Sequence, residues 1–470
     1  MKVLSKMISE INSHQYARID SKYWITQEEV AFSKYRLLSE MFEIINGSVQ
    51  TSHYTDEVTG FPYIRISNID YKYGINTEDV IYLDSICDVK EERILKKDDL
   101  ILATIGATVG KIGMAKCCEG GTCSNNTVIL RAKDKRTNIA FFEKLFQTDF
   151  YINYIFGVVS QKAQPNLQSY DLENIRVPII SKQTIEKSLN GIKPLEKRIL
   201  ELKSSLQTTH EIIDSVFSLE FKIVVEKQLR IDAKKKMQVS FSSFDQNNPN
   251  IRFSYRWNKS VAIQEEIIAS VDCCKKLGRY IIATQNGWSP DCDETQSALR
   301  VLGIDSIKKD GTISFENVKY SNETKKNIDS YIIKNGDFFV SRGNTTELVA
   351  LAAVASVGND DPITIFPDLM IRIDFDDRVH KEYMAYVFNS IIGRLYFKYV
   401  TKGKNQTMVK VSPQELNDFY VPLPDYNEQQ RIVENIQSEI AKQNEIKTQI
   451  AELRDQIDSI IEEAITKGDE

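Results

Sequence analysis

The chain repeats itself, and that limits its fold more than any other feature of the sequence. Arg18-Ile-Asp-Ser-Lys-Tyr23-Trp24 is echoed by Arg252-Phe-Ser-Tyr-Arg-Trp257. Tyr63-Ile-Arg65-Ile-Ser-Asn-Ile69-Asp70 is echoed by Leu299-Arg300-Val-Leu-Gly-Ile304-Asp305, and Lys97-Asp-Asp99-Leu-Ile-Leu by Asn335-Gly-Asp337-Phe-Phe-Val. Val177-Pro178 returns as Val421-Pro422. The offset widens along the chain from 234 to 244, as small loop insertions produce. A head-to-tail duplication of this length implies two copies of one folding unit.

Each Val-Pro leads into an amphipathic helix. Ile446, Ile450, Leu453, Ile457 and Ile460 alternate in steps of four and three, which is a heptad seam. Leu202, Leu206, Thr209, Ile213 and Val216 follow the same steps 244 residues earlier, in register with the Val-Pro motif. The remaining faces are charged, as a solvated coiled coil requires. The spacing predicts helices over roughly 193–228 and 428–466, pairing antiparallel. Four regions follow: a globular domain over 1–181, a central helical region over 182–235, a second globular domain over 250–425 and a C-terminal helical region over 426–470. Polar residues from Leu229 to Tyr255, with Lys234-Lys235-Lys236, read as a linker. Short strands (99–104, 127–131, 338–341, 369–373) mixed with helices (140–156, 381–399) predict mixed α/β domains in tandem, joined by two long antiparallel coiled-coil helices.

With 470 residues, 42% apolar and 10% aromatic, the chain has material for at least two cores. The start, MKVLSKMISEINSHQ, has no apolar run, and no stretch is long and apolar enough to span a bilayer, so a cytoplasmic protein with no membrane contact is expected. The seven cysteines are odd in number and contain no CxxC pair; Cys117, Cys118 and Cys123 lack nearby histidines. Reduced thiols and no metal are expected. The net charge of −6 is unevenly spread: twelve acidic and five basic side chains lie in 425–470, leaving the rest close to neutral. Phosphate binding depends on the local field, so the total does not exclude DNA.

Catalytic motifs are missing. No Pro-Pro occurs, so the Asn/Asp-Pro-Pro-aromatic motif of an amino-methyltransferase is absent, and no GxGxxG is present. Gly106-Ala-Thr-Val-Gly110-Lys111-Ile112 is one residue short of a phosphate loop, and Ile112 stands where magnesium needs a hydroxyl. It reads as a turn or a DNA-facing loop. Asp291 and Asp293 read as solvated loop acids. No catalytic residue and no cofactor are expected.

DNA-binding candidates fall in two loop pairs. Tyr383 to Gln414 contains no acid but carries Arg394, Lys398, Lys402, Lys404 and Lys410 among Tyr396, Phe397 and Tyr399. Lys402 and Lys404 suit phosphates; Asn405 and Gln406 suit adenine edges. Phe150 to Tyr170 is also acid-free, with Lys162, Gln164 and Asn166. The second pair holds Arg342 and Asn344 in one copy, and Thr108 and Lys111 in the other.

On these residues the chain resembles the specificity subunits of type I restriction–modification systems. Val421-Pro-Leu-Pro-Asp-Tyr-Asn-Glu428-Gln429-Gln430-Arg431-Ile432-Val433 is similar to the family's signature at the start of a conserved helix. The Arg18 to Trp24 segment, the Asp99-Leu-Ile-Leu strand and the Gly106 to Lys111 turn are similar as well. The first copy departs, with Ile179-Ile-Ser-Lys-Gln183-Thr-Ile-Glu186 in place of that signature. The resemblance implies two target-recognition domains on double-stranded DNA, an antiparallel helical ruler, two adenine-methyltransferase subunits and ATP-driven restriction subunits as partners. A type IIB-like system uses a similar chain, and a coiled-coil scaffold without DNA recognition fits the repeat as well; on sequence both alternatives stay open.

Overall fold

The computed structural model describes residues 22–23, 25–26, 34–50, 52–55, 60–77, 79–116, 118–159, 165–238, 254–293, 299–324, 327–358, 360–403 and 408–467. The chain divides into two compact units: residues 1–205 with 447–470, and residues 206–446. Both are mixed α/β.

The first unit is organised on an antiparallel sheet of Phe42–Asn46, Thr127–Ala132, Leu100–Ala103 and Ile112–Met114, in that spatial order. Leu100 to Ala103 are all buried, so the strand reads as a continuous apolar run. Tyr35–Leu37 pairs with Arg176–Pro178, which puts the Val-Pro motif on a two-stranded clasp. Helices α1 (Ile139–Phe146) and α2 (Asp149–Val158) follow the sheet, and α3 (Lys182–Ser204) follows the clasp. Ser181 opens α3 by accepting the Thr184 N–H at 3.1 Å.

The second unit repeats this plan. Its sheet runs Ile281–Asn286, Met370–Phe375, Phe338–Ser341, Ala352–Val354, and its clasp joins Cys274–Lys276 to Tyr420–Pro422. Here α4 (Thr209–Phe221), α5 (Val225–Ala233) and α6 (Tyr255–Ser270) come before the sheet. Helices α7 (Lys381–Asn389) and α8 (Ile391–Val400) follow it, and α9 (Tyr426–Lys467) begins in this unit and ends in the first. The core gathers Phe338, Tyr383, Phe388 and Phe397 with Ile213, Phe217, Ile432 and Ile436. Each fully buried side chain of this kind contributes about 1.5–3 kcal/mol.

The shared Asp99 and Asp337 have a structural explanation. Asp99 accepts the Lys96 N–H at 2.8 Å and pairs with Arg131 at 2.7 Å; Asp337 accepts the Lys334 N–H at 2.9 Å and pairs with Arg372 at 3.3 Å. One carboxylate thus closes a turn and clamps the neighbouring strand. The residue before each aspartate has positive φ, Asp98 at 67° and Gly336 at 78°. Within the echo around Ile69 the register differs from the sequence alignment by three. Ile66–Asn68 and Ile304–Ser306 each form a single 3-10 turn, while Ile69 pairs with Ile75 and Ile307 with Ile313. Ile66, not Ile69, is the partner of Ile304; isoleucines spaced three apart made the slip invisible.

Several expected elements are interrupted. The helix expected over 193–228 breaks between Ser204 and Thr209, where Thr208 starts a capping box with Glu211, and again at Lys222, whose φ is 53°. The linker expected from 229 is helical as far as Ala233, and 239–253 lie outside the described residues. The helices expected over 140–156 and 381–399 each divide in two, at Gln147-Thr148 and at Ser390. Among the described residues no helix is long and apolar enough to cross a membrane.

Candidate nucleic-acid interface

The two candidate loop pairs meet within each unit. In the second, Gly343–Asn344 pairs antiparallel with Val409–Lys410, Arg342 O accepts the Val411 N–H at 2.9 Å, and Lys402 bridges to Lys410. In the first, Ile105 bridges to Asn166, and the Gly106 N–H donates to Pro165 O at 2.8 Å. Segments far apart in the sequence therefore come together in each unit at the end of a central strand.

On that surface Lys402 is exposed and pairs with the buried Glu415 at 3.0 Å. Arg342 is half-buried and donates to Asp368 O at 3.2 Å. Asn344 turns back to accept the Thr345 N–H at 2.8 Å, and Thr108 donates to Ile105 O at 2.8 Å, so both serve their own turns. Lys111 lies over the Tyr71 ring, 5.4 Å from its centre. Gly110 has φ of 89°, which explains the glycine of the loop that resembles a phosphate loop without any phosphate; Ala350, its counterpart, has φ of 58°. Asn166 is half-buried. Lys404, Asn405, Gln406, Lys162 and Gln164 lie outside the described residues.

The acid-free stretch from Tyr383 to Gln414 is not acid-free in space. Lys398 pairs with Asp232 at 3.6 Å and Glu347 at 3.3 Å. Arg394 is half-buried, donates to the carbonyls of Phe388 and Val349, and its pKa is pulled down to about 10 by desolvation. In the core Tyr396 stacks on Phe419 and Phe397 meets the same ring edge-on. The aromatic and basic alternation there belongs mostly to α8 packing, and among the described residues Lys402 and Lys410 are its exposed cations.

The seam residues fall on both units. Leu202, Ile213, Val216, Ile450 and Ile457 are buried, and Leu206, Ile446, Leu453 and Ile460 half-buried. In the first unit Gly191 of α3 faces Ile460 of α9, at 3.6 Å from an ideal Cβ, and the Tyr73 ring lies between Lys203 and Arg454. In the second, Gln443 accepts the Gln207 N–H at 2.9 Å, and Arg431 pairs with Glu220 at 2.5 Å. In each unit the number on one strand of helix rises as the other falls, so the contacts are antiparallel. The signature's Gln429 is buried: it accepts the His380 N–H at 2.9 Å and donates to Arg378 O at 2.9 Å, fastening α9 to its domain. Sequence reasoning missed Ile192, Ile199 and Ile461, all buried on these helices, and Tyr71, whose hydroxyl donates to Ala107 O at 2.8 Å. Ile192 and Ile199 continue the same heptad ahead of Leu202, and Ile461 sits one residue past Ile460; nothing local marks Tyr71.

Among the described residues no cluster of three or more His, Cys, Asp or Glu side chains could hold a metal ion. The family described as "Type I restriction modification DNA specificity domain" matches residues 33–210 and 300–453. No curated protein matches the chain. Solved structures are similar as well, among them the following three. One, from work on complex assembly and conformational transition of the type I R-M system, covers 92% of this chain and 97% of its own at 16% identity, with a TM-score of 0.48. The HsdS subunit from Thermoanaerobacter tengcongensis covers 92% and 96% at 14% identity and 0.35. A type I S subunit from M. genitalium covers 92% and 95% at 11% identity and 0.39. The family match falls on both repeats and takes in more than half of the sequence, so the chain belongs to the type I restriction–modification DNA specificity family, as a specificity subunit.

Proposed function

We propose that each unit reads one half of an asymmetric, bipartite DNA target, and that the chain lends position and no chemistry to its partners. The observation that carries this reading is the pair of zipped loops. They sit on the same strand end in both units but differ in sequence, Arg342-Gly343-Asn344 against Thr104-Ile105-Gly106. One framework with two sets of contacts suits two unlike half-sites. Two adenine-methyltransferase subunits and the restriction subunits would assemble on it in the cytoplasm, where the DNA is. The absence of methyl-donor and target-base motifs from the sequence favours a non-catalytic subunit.

Methylome sequencing of the host with and without this gene tests the reading. The expected result is loss of one motif made of two unlike half-sites around unread bases. A lost motif that is single and continuous overturns it.

Substitutions in the 402–406 loop should separate anchoring from reading. Lys404→Ala is expected to weaken binding to all sequences and lower the salt slope by about 1. Lys402→Ala should do less, because Glu415 already holds that ammonium. Asn405→Ala and Gln406→Ala should change base preference at one position by about 1–3 kcal/mol. Binding titrations of the assembled complex at several salt concentrations, on target and non-target duplexes, measure both effects; unaltered affinity and preference in all four removes the loop from the interface.

A further inference from the structure

One contact recurs in both units, and its acceptor residues are related by the same 244-residue offset as the helical seam. Helix α2 starts at Asp149, and its Asp149 N–H donates to the Asp458 carboxylate of α9 at 3.3 Å. Helix α8 starts at Ile391, and its Ile391 N–H donates to the Asp214 carboxylate of α4 at 2.6 Å. Asp214 and Asp458 lie 244 residues apart. In each unit, then, an aspartate from a long helix supplies an acceptor to the first free N–H of the domain's second helix. A carboxylate there satisfies an orphan donor and meets the positive end of the helix dipole. The need is greatest at α8, whose own Ser390 gives no side-chain cap and donates instead to Val387 O at 2.8 Å.

From each aspartate a short chain of contacts leads to the DNA-facing loop. In the first unit Lys72 bridges Asp458 at 2.5 Å and Asp149 at 2.7 Å. Its neighbour Tyr73 is held between Lys203 and Arg454, and its neighbour Tyr71 donates to the carbonyls of Ala107 and Val109 in the loop. In the second unit the wiring differs. His210 lies 3.3 Å from Asp214 and 3.0 Å from Asn389 O. The buried Asn389 carboxamide accepts the Ala352 N–H at 2.9 Å and donates to Ala352 O at 2.8 Å, on the strand that leaves the loop. Burial lifts the Asp214 carboxyl above the usual carboxylate range, opposed by His210 and the Ile391 N–H.

We infer that Asp458 and Asp214 are joints that fix each recognition loop against a long helix, and that they act as positioning residues, each for one half-site. The inference rests on the reading that the zipped loops contact DNA. A base-reading side chain held at the wrong angle loses hydrogen bonds to the correct base while its phosphate contacts persist, so the consequence is relaxed stringency.

The test uses the full chain assembled with the methyltransferase subunit of its own system. Methylation is measured on the native target and on duplexes with single changes in either half. Asp458→Ala is expected to lower discrimination in one half by about fivefold to tenfold, the equivalent of a lost cap. Asp214→Ala should do the same in the other half. Asp458→Asn and Asp214→Asn keep an acceptor oxygen and should restore most of the stringency. Should an alanine variant fail to fold, Asp→Glu at the same position, which keeps the charge and displaces the oxygen, should give the same half-restricted loss. Unchanged stringency in both halves, or equal relaxation of both by either variant, overturns the inference. A wild-type target without two halves defeats the functional reading instead, and is seen before any variant is made.

Discussion

A chain carrying Ile450→Asp with Ile457→Asp should lose its first unit and keep its second. Both isoleucines are buried on α9, in the stretch that belongs with residues 1–205. A carboxylate placed there has no cation designed to meet it, and burying an unpaired charge costs several kcal/mol even after relaxation. Two such sites rival the whole stability of a domain, about 5–15 kcal/mol. Limited proteolysis followed by mass analysis is the measurement. Cleavage spread through 1–205, with 206–446 protected, is the expected pattern. Equal protection of both regions would mean that the buried face of α9 contributes little to the first unit.

The second large effect is a change of target. A fragment of residues 1–236 keeps the first domain and α3 but lacks the 447–467 stretch of α9. A second copy can offer α4 in its place. Thr209, Ile213 and Val216 stand in register with Leu453, Ile457 and Ile460, and Asp214 stands where Asp458 is needed. Two fragments should therefore complete one another, with two-fold symmetry and the same domain twice. With the methyltransferase subunit present, the methylated site should become a palindrome of one half-site. Thr209 in place of Leu453 loses about 1 kcal/mol or more of apolar burial per contact, so the association needs high concentration. Light scattering followed by methylation mapping decides it. A fragment that stays monomeric at high concentration with methyltransferase present, or a target that stays asymmetric, refutes the pairing.

Much of this molecule was legible because duplication let one copy check the other. The strand Phe338–Ser341 was placed to the residue, and the helices after each Val-Pro were placed through a register that both copies share. What failed were readings along one dimension of facts fixed in three. Nothing in Tyr383 to Gln414 announces that Asp232 and Glu347 arrive to neutralise Lys398, or that Arg394 turns inward to carbonyl oxygens. The breaks at Thr148 and Ser390 carry no proline or glycine; a lone threonine or serine inside an apolar run is weak evidence for a new helix. The aspartate joints were invisible for a further reason. Asp214 and Asp458 look like solvated charges beside a seam, and only the folded chain shows which N–H each one meets.

The interleaving of the two units also orders events on the ribosome. Residues 206–446 are contiguous, so the second unit has all its parts as soon as Ile446 has emerged. The first unit has most of its residues much sooner, yet waits for 447–467. At 5–20 residues per second that wait is on the order of ten to fifty seconds. Throughout it, Ile192, Ile199 and Leu202 of α3 have no C-terminal stretch to cover them, and they are a site where a chaperone, or α4 of a neighbouring nascent chain on the same message, can bind first.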